Sequence, residues 1–259
     1  MKKDKKEVRE KFLPCIHGLD NLFHEGIPQG NSILVEGGPG SGKTILCLQI
    51  AYEQAKRGKK VLIMSFEEAE HQLREHMEVF NWDVKGLEAK GTLQIKRINA
   101  LDISRSVEAL LSDAKKELLI DIHPVLIPKS FAPDIIIFDS ISAISSAFSG
   151  EENRFRIYME QFFRYLESQK TSSLLIREVA NPTHTGGNYV EHGEAISFLS
   201  DGIIVLYNVI LPHGKRGRAL EILKMRGDDI KRGIYEAEIK RGKGWVVSGT
   251  PLKGSYTLT

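Results

Sequence analysis

The residues with the clearest chemical signature form one short glycine-rich segment that matches the pattern G-x-x-x-x-G-K-[ST]. A predicted strand precedes this segment and a predicted helix follows it. In such a loop the backbone N–H groups point inward at phosphate oxygens, and the helix N-terminus favours negative charge. The pattern therefore predicts a nucleotide-binding loop, which consists of Gly37, Gly38, Pro39, Gly40, Ser41, Gly42, Lys43, Thr44 and Ile45.

Two side chains of this loop have separate predicted roles. Lys43 is expected to reach the β- and γ-phosphates, and the Thr44 hydroxyl is expected to ligate Mg²⁺. The alternative is a glycine-rich turn that matches by chance, and average glycine usage gives such a match in roughly one chain in a hundred. The flanking strand and helix make chance rarer still. We therefore predict ATP and Mg²⁺ as the cofactors.

A second metal ligand is expected at the end of a buried strand beside the strand of the loop. Asp139 stands in that position, directly after four consecutive apolar residues. A carboxylate there can hold the water shell of Mg²⁺. Asp139 could also cap the helix that follows, and the two roles are compatible. Thr44 and Asp139 are the predicted metal ligands.

Hydrolysis also needs a group that activates or orients the attacking water. Glu67 and Glu68 follow a predicted strand at residues 60–66. If that strand is parallel to the loop strand and next to it, its carboxyl end lies near the γ-phosphate. Alternatively, both acids only favour the N-terminus of the next helix. Position alone does not decide between the two interpretations.

The segments around these residues alternate between strand and helix, which is typical of an α/β fold with a mostly parallel sheet and helices on both faces. One predicted helix has an apolar face made of Phe155, Tyr158, Met159, Phe162 and Leu166. The last sixty residues are predicted to add antiparallel strands at one edge of the sheet. The predicted strands are 32–36, 60–66, 93–98, 134–139, 172–176, 202–207, 218–226, 234–239 and 245–248, and the other predicted helices are 44–57, 68–80 and 106–119.

The composition limits the classes of protein that the chain can belong to. Of its 259 residues, 41% are hydrophobic and 27% are charged, so a core can form. The sequence lacks an apolar run near 18 residues, and the charged start is unlike a secretory signal. Two cysteines are too few for a disulfide framework or a metal cluster. These features predict a cytoplasmic protein without a membrane partner.

The domain prediction is a single unit over residues 1–259, because no linker interrupts the alternating pattern. Residues 1–13 are predicted to be a charged segment that is flexible or docks on another subunit. The net charge is only +2, whereas a dedicated nucleic-acid binder usually has a stronger basic bias. Nucleic acid is therefore a possible partner but not the favoured one.

Six segments together resemble the KaiC-type ATPases, a group of the RecA superfamily. They occur in the order found in that family and extend from about residue 14 to the end of the chain. Besides the phosphate loop, they are HGLD at 17–20, GIPQG at 26–30, SFEE at 65–68, DS at 139–140, SDGIIVL at 200–206 and KMRG at 224–227.

This resemblance implies one RecA-like ATPase domain in which Glu67, helped by Glu68, activates water. It also implies a homo-oligomer, a hexamer or a similar ring, with ATP at the subunit interfaces. Lys224 and Arg226 would then reach the γ-phosphate bound by the neighbouring subunit. Residues i and i+2 of a strand face the same way, which agrees with a shared role, although both could also be solvated strand residues. The shared role requires a head-to-tail interface.

The sequence also departs from the family. The phosphorylated Ser-Thr pair of the clock proteins falls at Ser197 and Phe198, so only Ser197 could accept a phosphoryl group. Arg177 stands where family members often carry a small hydroxyl residue, and the sequence offers no account of it. The next residue, Glu178, could sense the γ-phosphate through a water molecule.

The favoured function is slow Mg²⁺-dependent ATP hydrolysis by a ring that acts as a regulatory switch. One alternative is a DNA-dependent ATPase of the recombinase type, but the loops at residues 147–153 and 181–192 are not basic. The turns at residues 213–218 and 240–243 are basic, and we interpret them as solvated hairpin tips. The other alternative is an autokinase. His71 and His76 are interpreted as surface residues.

Overall fold

The computed structural model describes residues 9–99, 130–147, 152–179 and 194–259. Short 3-10 turns occur at Asp20–Leu22 and Pro212–Gly214. In chain order the strands and helices are β1 (Lys11–Phe12), β2 (Ile27–Pro28), β3 (Ser32–Gly37), α1 (Lys43–Lys56), β4 (Val61–Ser65), α2 (Glu70–Glu78), α3 (Val84–Ala89), β5 (Leu93–Arg97), β6 (Ile135–Asp139), α4 (Ile141–Ala147), α5 (Glu152–Ser168), β7 (Ser172–Glu178), α6 (Glu194–Leu199), β8 (Gly202–Ile210), β9 (Arg216–Met225), β10 (Tyr235–Lys240), β11 (Gly244–Pro251) and β12 (Thr257–Leu258).

The main sheet has the strand order β11-β10-β9-β8-β3-β7-β6-β4-β5, and β12 also pairs with β8. The strands from β8 through β5 are parallel to their neighbours. From β8 to β11 each strand is antiparallel to the next one. This arrangement confirms the predicted α/β fold with antiparallel strands added at the C-terminal edge.

The strand order differs from the expectation at one point. The strands that end at Asp139 and before Glu67 were expected beside the loop strand β3, and this expectation is wrong. Strand β7 lies between β3 and β6, and β4 lies beyond β6. Asp139 and Glu67 still reach the site, because the carboxyl ends of parallel strands lie at the same edge of the sheet.

The sheet separates two hydrophobic cores. Because alternate residues of a strand point to opposite faces, Ile33 and Val35 of β3 belong to one core and Leu34 belongs to the other. Helix α1 packs in the first core and α5 packs in the second. The predicted apolar face of α5 is confirmed, since its five members are buried in the second core: Phe155, Tyr158, Met159, Phe162 and Leu166.

The elements after β4 differ from the prediction in two respects, both for local reasons. Helix α2 begins at Glu70, because the Glu68 N–H donates to the Ser65 hydroxyl over 2.9 Å and keeps the preceding residues in a turn. The short helix α3 was missed. Asp83 caps it by accepting from the Gly86 N–H at 2.9 Å, but six residues are too few to establish a periodic pattern.

Several predictions concern segments at or beyond the limits of the described ranges. The predicted helix at residues 106–119, the loop at 181–192 and residues 148–151 lie outside the described residues. In the described part of the N-terminal segment, strand β1 pairs with β2, and Phe12 is buried. None of the helices in the described ranges is long and apolar enough to cross a membrane.

Candidate nucleotide site

The phosphate loop is in close contact with strand β8. A Cβ on Gly37 would lie 2.5 Å from the Ser41 hydroxyl oxygen and 2.6 Å from the Leu206 carbonyl oxygen. Both distances are far below van der Waals contact, so a side chain at this position would push the loop away from β8. Glycine at position 37 therefore permits the close approach of loop and sheet.

The other end of the loop contacts the hairpin of β10 and β11. Gly42 has φ +99°, and a Cβ there would lie 2.7 Å from Ile239 Cδ1. The indole N–H of the fully buried Trp245 donates to the Gly42 carbonyl over 3.1 Å. The Trp245 N–H donates to the Gln49 side chain of α1 over 2.6 Å. The antiparallel edge of the sheet thus fixes the start of helix α1, which follows the phosphate loop.

The Lys43 ammonium group is enclosed by the loop. It donates to the carbonyl oxygens of Gly37 and Gly38, each at 3.0 Å. The Glu178 carboxylate, at the end of β7, lies 3.7 Å from the same nitrogen. This location beside the loop N–H groups suits a cation that binds phosphate oxygens.

The two predicted metal ligands are in direct contact. The Thr44 hydroxyl donates to Asp139 Oδ2 over 2.8 Å. Burial raises the pKa of Asp139 to about 6, and the negative charges of Glu67 and Glu68 act in the same direction. The Thr44 hydrogen bond and the charge of Lys43 lower this pKa in part. Ionised Asp139 is thus a buried carboxylate that further positive charge would stabilise.

Glu67 also belongs to this group. Strands β4 and β6 pair Ser65 with Asp139, so the turn after β4 lies beside the end of β6. The Ser140 hydroxyl donates to Glu67 Oε1 over 2.7 Å. Pairing of these strands therefore holds the Glu67 carboxylate next to the Thr44–Asp139 pair.

The chemistry of this group of oxygen atoms fits Mg²⁺. Hydroxyl and carboxylate oxygens are hard donors, and Mg²⁺ in nucleotide sites is usually held by one or two of them together with substrate phosphates. Burial is the main cause of the raised pKa of Asp139, so the ionised carboxylate would be stabilised by positive charge nearby. A divalent cation between Thr44 and Asp139 would supply that charge.

These residues line one cavity of about 450 Å³, a volume typical of small-molecule sites. The sequence prediction included most of its polar residues, and it missed two. His76 was interpreted as a surface residue, and Arg218 was assigned to a solvated hairpin tip. Besides loop residues, Glu67, Glu68, Asp139 and Ser140, the cavity is lined by His76, Val79, Phe80, Ile176, Glu178, Arg218 and Ile239.

The sequence contained a partial signal for one of the two missed residues, His76. His76 lies on α2, and Phe80 follows it by four residues just after the helix. The two side chains therefore lie on the same side of the segment that follows the paired glutamates. Arg218 had no comparable signal, because its position depends on the pairing of β9 with β8 and β10.

Lys224 and Arg226 lie elsewhere in the fold. The Lys224 ammonium group donates to the carbonyl oxygens of Ser197 at 3.1 Å and Ser200 at 2.5 Å. The Arg226 guanidinium donates to the Phe198 carbonyl at 3.1 Å. Burial, followed by the neighbouring charge of Arg226, lowers the pKa of Lys224. Both cations therefore support the end of α6.

The register of the sheet separates these cations from the phosphate loop of the same chain. Lys224 pairs with Ile203, and Ile203 pairs with Leu34 near the start of β3. The loop begins three residues later at Gly37, which corresponds to about 10 Å along the strand. Lys224 and Arg226 lie at the amino edge of the parallel strands, whereas the cavity lies at the carboxyl edge.

The structure provides an account of Arg177. This residue on β7 is the register partner of Glu36 on β3, and their side chains form an ion pair at 2.5 Å in which the Glu36 carboxylate is buried. Arg177 also donates to the Ser197 hydroxyl over 3.2 Å. Ser197 is the residue whose carbonyl accepts from Lys224. Arg177 thus connects the loop strand to the segment that holds Lys224.

Comparison with known proteins identifies the family. The KaiC ATPase family model matches residues 14–251. The chain is 28% identical to the circadian clock protein KaiC3 of Synechocystis sp., over 92% of this chain and 45% of the relative. It is 31% identical to a UPF0273 protein of Pyrococcus horikoshii, over 88% of this chain and 95% of the relative. The chain spans about half the length of the clock proteins that it matches.

The fold comparison agrees with the sequence comparison. The crystal structure of a KaiC-like protein from Pyrococcus horikoshii superposes with a TM-score of 0.71 and 24% identity. The match covers 93% of this chain and 99% of that chain. A sheet of this order, a G-x-x-x-x-G-K-T loop at its carboxyl edge and the family match lead to one conclusion. The chain belongs to the KaiC family of RecA-type, ATP-binding P-loop ATPases.

Proposed function

We propose that this protein is a Mg²⁺-dependent ATP hydrolase whose active site is completed by a second copy of the chain in a ring. The observation that carries the proposal is the convergence of Lys43, Thr44, Asp139 and Glu67 on one cavity. A lysine, two metal-ligand oxygens and a nearby carboxylate are the groups that phosphoryl transfer to water requires. The whole of residues 1–259 is proposed to act as one unit.

In the proposed mechanism, Lys43 and the loop N–H groups bind the β- and γ-phosphates. Thr44 and Asp139 would hold Mg²⁺, which when bound neutralises charge that develops on the phosphate oxygens. Glu67 accepts a proton from water while the water oxygen bonds to the γ-phosphorus. The bond from that phosphorus to the β–γ bridging oxygen breaks, so ADP and phosphate form. Ser140 holds Glu67 in place for this step.

The second part of the proposal concerns Lys224 and Arg226. Since they lie at the amino edge of the parallel strands, they cannot reach the γ-phosphate of their own chain without rearrangement. In a head-to-tail ring, that edge would face the carboxyl edge of the next copy. The two cations would then stabilise negative charge in the transition state of the neighbouring site. A hexamer is the proposed ring size.

The most direct test of hydrolysis is steady-state ATP turnover by the wild type and by Glu67→Gln, with the mass of the particle recorded in the presence of ATP. Glu67→Gln should lower kcat by about 100-fold or more, because it removes the general base. Glu75→Gln is the matched control, since Glu75 is exposed on α2. Unchanged turnover in Glu67→Gln would reject Glu67 as the base.

The same assay separates the alternative functions. Single-stranded DNA should leave turnover unchanged, whereas strong stimulation would support a recombinase-like ATPase. The intact mass after incubation with ATP should also stay unchanged, whereas an added phosphoryl group on Ser197 would support an autokinase. The switch role and the cytoplasmic location stay predictions.

A further inference from the structure

Helix α2 runs along one side of the nucleotide cavity. It starts just after Glu67 and Glu68 and ends just before Phe80. His76 lies on its last turn and lines the cavity together with Phe80. Its Nδ1 atom is 3.2 Å from Glu68 Oε2. Helix α2 thus places the His76 imidazole beside Glu68, which lies just before the start of the helix.

Two contacts determine where Glu68 lies. Its backbone N–H donates to the Ser65 hydroxyl over 2.9 Å, which holds the main chain. The contact of its carboxylate with His76 holds the side chain. The two atoms lie within hydrogen-bonding distance, and because an ionised carboxylate only accepts hydrogen bonds, a hydrogen bond here requires a proton on Nδ1. With both contacts made, the Glu68 carboxylate is held toward His76 on the side of the turn that also carries Glu67.

Helix α2 also contains a natural internal control. His71 is exposed on the same helix and is not among the residues that line the cavity. The two histidines therefore have the same residue type and the same helix, but only His76 contacts a site carboxylate.

We propose that His76 is a positioning residue for ATP hydrolysis, which acts by holding the Glu68 carboxylate beside Glu67. This inference rests on the proposed function above. A fixed Glu68 offers the attacking water a second oxygen acceptor, so the water is oriented by two carboxylates. Because His76 acts through Glu68 and not on the phosphates, its loss lowers kcat and leaves KM for ATP unchanged.

Three substitutions test this role through ATP turnover. His76→Ala removes the donor and is expected to lower kcat roughly tenfold, as expected for the loss of one hydrogen bond to a charged group. His76→Asn keeps a donor close to the position of Nδ1 and should retain kcat within about twofold. His71→Ala should match the wild type. In a Glu68→Ala background, His76→Ala should cause no further loss.

A second readout does not depend on activity. Nitrogen chemical shifts of the His76 imidazole in the full chain report which ring nitrogen carries the proton. In the wild type Nδ1 should carry a proton, and in Glu68→Ala the ring should shift toward the Nε2–H tautomer. The His71 signals should not change between the two proteins.

Several results would overturn the inference: full kcat in His76→Ala, an Asn variant as impaired as the Ala variant, a change in KM alone, or an unprotonated Nδ1 in the wild type. Failure of the proposed function is distinguishable from these results. In that case Glu67→Gln turns over ATP like the wild type, while the imidazole signals still report the His76–Glu68 contact.

Discussion

Asp139 combines two opposing requirements at the scale of a single residue. It must be ionised to hold a divalent cation, yet burial raises its pKa to about 6. Binding of Mg²⁺ should therefore release a proton from Asp139 near pH 6, and the affinity for Mg²⁺ should fall as the pH decreases through that value.

The effect on folding stability can be predicted with its sign. The pKa of Asp139 is higher in the folded state than its ordinary value of 3.8. Its contribution is fully present below pH 3.8 and is lost as the pH rises through about 6. Asp139→Asn, which cannot ionise, should gain about 2 kcal/mol relative to the wild type between pH 4 and pH 7.

Urea unfolding at both pH values, without nucleotide or metal, measures this difference. Glu75→Gln serves as the control for removing an exposed carboxylate. A difference between Asp139→Asn and the wild type that is the same at pH 4 and pH 7 would show that Asp139 ionises normally in the fold.

Residues with a defined local spacing were predictable from the sequence, and the others were not. The loop residues, Asp139 and Glu67 follow strands directly, so their location needs only the local pattern and the rule that parallel strands share a carboxyl edge. The contacts of Arg218 and Arg177 depend on which distant strands pair. No local pattern specifies such pairing, and for this reason Arg218 was assigned to a solvated hairpin tip and Arg177 lacked an explanation.

At the scale of elements, the ion pair of Glu36 and Arg177 joins three parts of the fold. Glu36 belongs to β3, Arg177 belongs to β7, and the guanidinium also contacts Ser197 of α6. Lys224 and Arg226 hold the end of α6 from the other side. The strand of the phosphate loop is therefore linked to the cations that are proposed to serve the neighbouring site.

Removal of one partner from this buried pair should be costly. Arg177→Met leaves the Glu36 carboxylate buried without its cation, so the free energy of unfolding should fall by about 3–5 kcal/mol. The double variant Glu36→Gln/Arg177→Met should lose clearly less, since no charge remains buried. Urea unfolding of both single variants and the double variant measures the coupling, and strictly additive losses would contradict a direct interaction.

Most element types near the site followed from periodicity, turn residues and the apolar runs. The order of strands did not, because β7 is inserted between β3 and β6 although it follows both in the chain. Its buried run resembles those of β3 and β6, so composition could not indicate which strand would occupy the centre. Helix α3 was missed because its helical character rests on one Asp83 cap.

At the scale of the whole molecule, the proposed function is divided between two edges of the sheet. The carboxyl edge carries the cavity, and the amino edge carries Lys224 and Arg226 beside the exposed side chain of Phe198. The cations proposed to act on the neighbouring site lie at the amino edge, whereas the phosphate loop and the acidic residues lie at the carboxyl edge. A ring in which each amino edge meets the next carboxyl edge would bring them together at every interface.

Mixing two inactive variants is the most direct test of a site shared between copies. One variant is Glu67→Gln, which lacks the base but offers both cations. The other is Lys224→Gln/Arg226→Gln, which keeps the base and retains side-chain amides that can donate to the end of α6. After subunit exchange at equal amounts, about one quarter of interfaces would combine an intact base with intact cations. We predict that ATP turnover recovers to about that fraction of wild-type turnover, and turnover no higher than the sum of the separate variants would contradict the shared site.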